Sequence, residues 1–287
     1  MITEFAPAKL NLHLHVTGRR DDGYHLLDSL VAFADVGDGL SFAPADELSL
    51  GLTGPFAGAL SAEPDNLVLR AARGLAALAG IAPKAAITLG KRLPVASGIG
   101  GGSSDAAATL RGLCRLWRLA PEPEALAALA LSLGADVPVC LDPRPWTMRG
   151  VGDDLIPAEP LPPAWLVLVN PGVAVATAAV FAQRKYLPFS EPASPAAPAS
   201  FDDLIEMLDT RRNELTDAAI WLAPAIAEVL AMLDGHPACR LARMSGSGAT
   251  CFALCETEED AARVARFVAR QRPAWWVAAC GWARAAG

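Results

Sequence analysis

The chain has 287 residues, 53% of them hydrophobic, and a formal net charge of −7, so it is long enough for two domains with cores of their own. An acidic chain without a long basic run is a poor nucleic-acid binder, although main-chain amides can still bind anions locally. No basic segment followed by an apolar one opens the chain, no apolar run is long enough to cross a membrane, and the six cysteines form no C-x-x-C pair. We therefore expect a cytoplasmic protein with reduced thiols and no membrane partner.

The first half of the chain begins with a strand. Strict alternation over residues 8–16 predicts a strand with one buried face, and its other face carries Lys9 and Asn11. A turn-rich stretch follows, and then a second strand-like run over residues 24–33. The remaining patterns predict a strand at 48–52, a helix at 66–79, a strand at 85–89, a loop at 91–102, a helix from 103 and a helix at 124–133.

The second half repeats the mixture of strands and helices. It predicts a strand at 165–169, a loop at 188–200, helices at 201–209 and 216–233, strands at 240–244 and 250–255, a helix at 258–271 and a strand at 275–279. Such a mixture indicates an α+β fold with helices on one face of a mostly antiparallel sheet. We place a domain boundary near residue 155, which gives domains 1–155 and 156–287.

A glycine-rich stretch at residues 94–104 is the strongest functional signal. Its residues are Pro94, Val95, Ala96, Ser97, Gly98, Ile99, Gly100, Gly101, Gly102, Ser103 and Ser104. Glycines let main-chain N–H groups approach a ligand, and the predicted helix, capped by its first Ser and Asp side chains, directs its positive dipole end to the same place. This geometry suits a polyphosphate. The alternative is a flexible loop, and the stretch is neither a P-loop nor a dinucleotide fingerprint.

Three further features are candidates for chemistry. Asp136 follows a helix that ends at Gly134, and Pro138 favours an extended Val137; a rigidly held carboxylate suits a catalytic base, whereas an Asx-turn is the alternative. If Lys9 lies beside such a base, it would offset negative charge on the phosphoryl group during transfer. The alternative is a plain solvent-facing lysine. Residues 244–249 are either a second main-chain clamp for phosphates or a plain hairpin turn.

These segments, in this order, resemble the GHMP kinase superfamily. Residues 6–9, 94–104 and 244–248 are similar to its three motifs, and residues 7–12, 18–25 and 133–138 resemble members whose substrate carries a cytidine diphosphate group. The resemblance implies a two-domain GHMP kinase fold with a ribosomal-protein-S5-like N-terminal domain and a ferredoxin-like C-terminal domain. It also implies a kinase that uses ATP and Mg²⁺ to phosphorylate a hydroxyl group of a small molecule.

The same resemblance implies roles for individual residues. Asp136 is the general base and Lys9 its partner, while Asn66 and Lys91 lie near the adenosine. The residues implied in substrate binding are Asn11, Tyr24, His25, Thr177 and Phe181, with Tyr24, His25 and Phe181 at the cytosine ring. Neither a protein ligand for Mg²⁺ nor a choice between monomer and homodimer follows.

Two alternatives to this function remain. One is a sister GHMP kinase acting on homoserine or mevalonate, against which the Gly23-Tyr24-His25 segment argues. The other is a nucleotide-binding regulator without transfer activity, which would need neither Asp136 nor Lys9.

Overall fold

The computed structural model describes residues 1–60, 66–184 and 188–283, and the chain divides into two compact units. The first unit consists of Met1–Ala8, Gly37–Val95 and Gly100–Pro143. The second unit consists of Lys9–Val36, Ala96–Ile99 and Arg144–Gly287. The predicted boundary near residue 155 stays a prediction.

Strands and helices are mixed along the chain, which confirms the predicted α+β class. The strands are β1 (Ile2–Arg19), β2 (His25–Ala43), β3 (Leu48–Thr53), β4 (Ala85–Gly90), β5 (Trp146–Gly150), β6 (Asp154–Pro157), β7 (Trp165–Asn170), β8 (Leu241–Met244), β9 (Cys251–Cys255) and β10 (Trp276–Gly281). The helices are α1 (Ala57–Leu60), α2 (Leu67–Leu78), α3 (Gly101–Trp117), α4 (Pro123–Leu133), α5 (Val137–Cys140), α6 (Thr177–Gln183), α7 (Phe201–Asp209), α8 (Thr216–Leu222), α9 (Ala225–Asp234) and α10 (Glu258–Gln271).

In the first unit, helices pack together beside a small sheet. The last part of β2 pairs antiparallel with β4, which pairs parallel with β3. Helix α2 packs on α3 and α4, and α3 packs on α5. Gly112 of α3 faces Phe42 of β2, where a Cβ atom would lie 2.3 Å from the ring. The missing side chain therefore lets α3 approach the sheet closely, and this contact fixes the helix that begins in the glycine-rich stretch.

In the second unit, the first part of β2 pairs antiparallel with β5, and β5 pairs antiparallel with β6. A separate antiparallel sheet has the strand order β10-β7-β9-β8, with α9 and α10 packed on it. The core of this unit includes Leu14 and Val16 of β1 together with Val167 and Val169 of β7. No helix in residues 1–60, 66–184 or 188–283 is long and apolar enough to span a bilayer, and all six cysteines are free thiols, as expected.

The predicted helix at 216–233 is wrong as a single element. Helix α8 ends at Leu222, and α9 begins at Ala225 after Pro224, which is its N-cap. Proline lacks an N–H group and its ring clashes with the preceding turn, so it separates two helices that share an apolar periodicity. Helices α7 and α10, in contrast, begin and end where the sequence predicts.

Strand β1 is longer than predicted and is buried on both faces. Lys9 is 3% exposed, Asn11 1% and His13 2%, and they alternate with fully buried Leu10 and Leu12. The expectation of a single buried face is wrong, because the polar residues of β1 find hydrogen-bond partners inside the second unit.

Candidate active site

Helix α3 begins inside the glycine-rich stretch, two residues before the predicted start. Its N-cap, Gly100, has a left-handed conformation with φ of 61°, and no side chain caps the helix. The first helical bond runs from Ser104 N to Gly100 O at 2.8 Å. The amides of Gly101, Gly102 and Ser103 precede that bond and have no acceptor within the helix. This open N-terminus is suited to binding phosphate oxygens.

The predicted capping by serine and aspartate is wrong, because the helix begins at Gly101 with Gly100 as its N-cap. The side chains of Ser104 and Asp105 are used elsewhere in the first unit. The Ser104 hydroxyl donates to Pro7 O at 2.7 Å. The Asp105 carboxylate accepts from Lys91 Nζ at 2.7 Å. The helix N-terminus is therefore left open to an external anion.

Lys91 lies between two buried carboxylates. Its ammonium donates to Asp38 at 2.6 Å and to Asp105 at 2.7 Å, and its side chain is 2% exposed. The second oxygen of Asp38 accepts from the amides of Arg92 and Leu93, at 2.5 and 2.9 Å. This cluster ties β2, the residues before the glycine-rich stretch and the first turn of α3 together. The Lys91 ammonium is thus occupied by protein groups.

Burial and the neighbouring charges together set the pKa values of this cluster. Burial alone would lower the pKa of Lys91, but the carboxylates of Asp105 and Asp38 outweigh this effect and raise that pKa. Burial disfavours the charged carboxylate of Asp105 and raises its pKa to about 7. The ammonium of Lys91 lowers this pKa, but repulsion from Asp38 partly cancels that effect. Asp105 Oδ1 is buried and has no hydrogen-bond partner among the described residues. The pKa of Asp105 therefore lies well above its ordinary value inside the first unit.

The N-terminal turn of α2 is a neighbour of the N-terminal turn of α3. Asn66 is the N-cap of α2, and its Oδ1 accepts from Val68 N at 2.8 Å. A Cβ atom on Gly102 would lie 3.4 Å from Leu67. The structure therefore brings the turn that holds Asn66 next to the open helix end.

Asp136 is the N-cap of the short helix α5, with φ of −88°, and it is half-buried. Val137 is helical, so the predicted extended conformation is wrong; Pro138 lies in the first turn of α5, where the missing N–H group costs no helical bond. Arg111 of α3 donates to Cys140 O at 2.8 Å. It holds the end of α5 against α3.

In the second unit, the segment Ala96–Ile99 is held from two sides. Lys9 N of β1 donates to Ile99 O at 2.9 Å, and Thr250 N donates to Ser97 O at 3.0 Å. The structure thus places this part of the glycine-rich stretch against β1 and against the turn between β8 and β9.

That turn and the glycine-rich segment interlock through their main chains. Gly98 has φ of 76°, and a Cβ atom on it would lie 2.6 Å from Gly248 O and 2.7 Å from Ser245 O. A Cβ atom on Gly246 would lie 2.7 Å from Gly98 O, and the Ser245 hydroxyl donates to the same oxygen at 3.1 Å. Residues 244–249 therefore do more than connect two strands: they support the glycine-rich segment.

Asn213 holds this turn in place, although no pattern in the sequence marks it. It is 4% exposed, and its Nδ2 donates to Met244 O and Gly246 O, both at 2.8 Å. Its Oδ1 accepts from Leu215 N at 3.0 Å. In the sequence, Asn213 lies in a polar stretch between two predicted helices, which is typical of a surface connection.

The predicted site residues of β1 lie together. Lys9 Nζ donates to Asn11 Oδ1 at 3.0 Å. Asn11 Nδ2 donates to Ser29 Oγ at 2.8 Å, and Asn11 N donates to Ser245 Oγ at 3.1 Å. The side chains of Lys9 and Asn11 are therefore fixed relative to each other and to the turn that supports Gly98.

Four predicted substrate contacts also lie in the second unit. The rings of His25 and Phe181 are stacked, with centroids 4.8 Å apart and an angle of 21°. Burial lowers the pKa of His25, and the charges of nearby arginines lower it further, so the ring is neutral at pH 7. Tyr24 is 65% exposed, and Thr177 Oγ1 lies 2.8 Å from Ser247 Oγ. The stacked pair forms a flat aromatic surface, with an exposed tyrosine next to His25 in the chain.

Three potential metal ligands, His13, His15 and Asp28, lie within 4.8 Å of one another. His13 Nε2 is 3.1 Å from Asp28 Oδ1, and Arg211 Nη1 is 3.5 Å from His13 Nδ1. Because a guanidinium group only donates, His13 Nδ1 accepts the hydrogen bond from Arg211. His13 Nε2 therefore carries the proton and donates a hydrogen bond to Asp28. Arg149 Nε donates to the other Asp28 oxygen at 2.9 Å. This network uses the ligand atoms of His13 and Asp28 and places two guanidinium groups beside them, so we assign no metal ion to it.

The comparisons with known proteins first define the class. The chain matches the GHMP kinases N terminal domain over residues 66–142 and the GHMP kinases C terminal domain over residues 195–274. A homoserine kinase from Cytophaga hutchinsonii, 18% identical, shares the fold with a TM-score of 0.71 over 99% of this chain and 95% of that one. The two-domain GHMP kinase fold predicted from the sequence is confirmed.

Closer relatives define the family. The 4-diphosphocytidyl-2-C-methyl-D-erythritol kinase of Paramagnetospirillum magneticum is 56% identical over 275 residues, 95% of each chain. The enzyme of the same name from Rhodospirillum rubrum is 52% identical over 97% of this chain and 91% of that one. A crystal structure of 4-(cytidine 5'-diphospho)-2C-methyl-D-erythritol kinase has a TM-score of 0.81 at 35% identity, over 99% of this chain and 100% of that one. The chain belongs to the 4-diphosphocytidyl-2-C-methyl-D-erythritol kinase family.

Proposed function

We propose that this kinase transfers the γ-phosphoryl group of ATP to the C2 hydroxyl of 4-diphosphocytidyl-2-C-methyl-D-erythritol. The products are the 2-phosphate and ADP, and the reaction belongs to the non-mevalonate (MEP) pathway to isoprenoid precursors. The observation that carries the proposal is the identity of 51–56% to kinases of that name over almost the whole chain. The open helix end and the Lys9–Asn11 pair supply the chemistry that such a transfer needs.

The nucleotide is bound through the glycine-rich stretch. The amides of Gly101, Gly102 and Ser103 are the donors for the phosphate oxygens, and the dipole of α3 adds to their effect. Asn66 lies near the adenosine, because the N-terminal turn of α2 that contains it is next to the N-terminal turn of α3. Lys91 acts there by positioning the chain, since its ammonium binds Asp38 and Asp105.

Phosphoryl transfer depends mainly on positioning and on charge stabilisation. Asp136 accepts the proton of the attacking hydroxyl, and Lys9 stabilises the negative charge of the base and of the transferring group. Mg²⁺ bound with ATP supplies charge neutralisation at the phosphate oxygens. We assign it no protein ligand, because the carboxylates described beside the helix end, Asp38 and Asp105, both bind Lys91.

The cytidine group is recognised by aromatic side chains. His25 and Phe181 present a stacked surface, and the exposed ring of Tyr24 completes the pocket for the cytosine. Asn11 and Thr177 contact the remainder of the substrate. We place the reaction in the cytoplasm, on the basis of the composition and of the free thiols, in a monomer or a homodimer.

An ADP-release assay with three acceptors tests the proposal. The purified enzyme receives ATP, Mg²⁺ and either 4-diphosphocytidyl-2-C-methyl-D-erythritol, homoserine or mevalonate, and ³¹P NMR identifies the phosphorylated position. We expect turnover with the cytidine substrate alone and a new phosphate ester at C2. Turnover with homoserine or mevalonate instead would assign a sister activity, and ATP binding without any turnover would indicate a regulator.

A further inference from the structure

Ser29 of β2 is fully buried and contacts the Asn11 side chain of the Lys9–Asn11 pair. Its hydroxyl donates to His13 O at 2.5 Å and accepts from Asn11 Nδ2 at 2.8 Å, and the residue is 0% exposed. A serine hydroxyl has a single proton. Since that proton is given to a main-chain carbonyl, Ser29 can only accept from Asn11.

This restriction fixes the orientation of the Asn11 side chain. With Nδ2 directed at Ser29, Oδ1 is directed at Lys9 Nζ, 3.0 Å away. The reversed amide would place its NH₂ group against the ammonium, and its oxygen against a hydroxyl oxygen without a free proton. Both contacts of the reversed amide would be repulsive, and in a buried site each would leave a polar group unsatisfied.

We propose that Ser29 is a positioning residue for the reaction: it orients the amide of Asn11 and thereby holds the ammonium of Lys9 where charge develops. The inference rests on the function proposed above, since it assigns the effect of Ser29 to phosphoryl transfer. Ser29 acts through Asn11 and has no surface of its own for a substrate.

A double-mutant cycle tests the coupling between Ser29 and Asn11. We expect Ser29→Ala to lower kcat about tenfold, the rate equivalent of one lost hydrogen bond, with KM for ATP unchanged. Ser29→Thr keeps the hydroxyl and restores kcat. In an Asn11→Ala background, Ser29→Ala should have no further effect on kcat, because residues that act as a unit are not additive.

Thr109→Val is the matched control, because it removes a buried hydroxyl that donates to a main-chain carbonyl in α3 without contacting Asn11. Melting temperatures of all variants identify effects that come from stability alone. Losses in kcat that multiply in the double variant, or a loss in Thr109→Val equal to that in Ser29→Ala, would overturn the assignment.

NMR of the Asn11 side-chain amide gives a readout that needs no substrate. We expect its protons to exchange slowly in the wild type and about tenfold faster in Ser29→Ala, because the acceptor is gone. Equal exchange in both proteins refutes the orienting role whatever the kinetics. Faster exchange in Ser29→Ala, combined with no turnover of the cytidine substrate by the wild type, overturns the proposed function and leaves the orienting role in place.

Discussion

Replacing Asp105 by asparagine should make the protein more stable at alkaline pH and leave it unchanged in acid. The folded protein raises the pKa of Asp105 from 3.8 to about 7, through burial and through Asp38. A raised carboxyl pKa means that the folded state binds the proton more tightly, so stability is complete below pH 3.8 and falls as the pH rises to 7. Each tenfold difference in proton affinity is worth about 1.4 kcal/mol, so the ionised group costs at most about 4 kcal/mol at pH 8. Asparagine keeps an oxygen for Lys91 and carries no charge.

The assay is urea unfolding of wild type and Asp105→Asn at half-unit steps from pH 4 to pH 8.5. The difference in free energy of unfolding should be near zero at pH 4 and grow through pH 7 in favour of the variant. Glu206→Gln, an exposed acid on α7, is the control and should show no such growth. A constant difference at every pH, or a variant that loses stability as the pH rises, would refute the account of the buried cluster.

Three further changes test the site. Asp136→Asn should lower kcat about 10²–10⁴-fold while ATP still binds, as loss of a general base predicts. If its kcat equals that of the exposed control Asp46→Asn, Asp136 is not the base. Gly98→Ala should weaken ATP binding about tenfold or more in calorimetry, because a left-handed φ and a collision with main-chain oxygens oppose the side chain; Gly39→Ala, where a Cβ atom meets nothing within 4 Å, should bind ATP normally. Phe181→Ala should raise KM for the cytidine substrate about tenfold or more, as loss of a stacking contact predicts, with KM for ATP unchanged; equal effects on both substrates would indicate a packing role only.

Local signals in the sequence predicted local structure well. Helix α7 begins at a capping box between Ser200 and Asp203, and α10 begins after the Thr257 cap. Such caps depend on residues three positions apart, so they are visible in the sequence. The glycine-rich stretch is equally local, since its glycines and the helix that follows them are visible in the sequence.

The contacts that shape the site join residues far apart in the chain. Lys91 binds Asp38 across 53 positions, and Asn213 binds the turn after β8 across 31 to 33. Nothing in a periodicity marks such partners, so neither the ion pairs of Lys91 nor a role for Asn213 could be predicted from the sequence. The position of Lys91 near the adenosine, which the family resemblance implies, stays a prediction. The serine and aspartate near the start of α3 led to a wrong prediction for the same reason, because Ser104 binds Pro7 and Asp105 binds Lys91, which lie elsewhere in the chain.

The interlock of Gly98 with Gly246 and Gly248 bears on how such enzymes can be recombined. The atoms that a side chain at position 98 would strike are main-chain oxygens, which no substitution of a neighbouring side chain can remove. A chimera that takes the glycine-rich stretch from one relative and residues 244–249 from another must therefore keep both backbones in the same path. We expect the two segments to be inherited as one block, and grafts of either segment alone to give proteins that fold but bind ATP poorly.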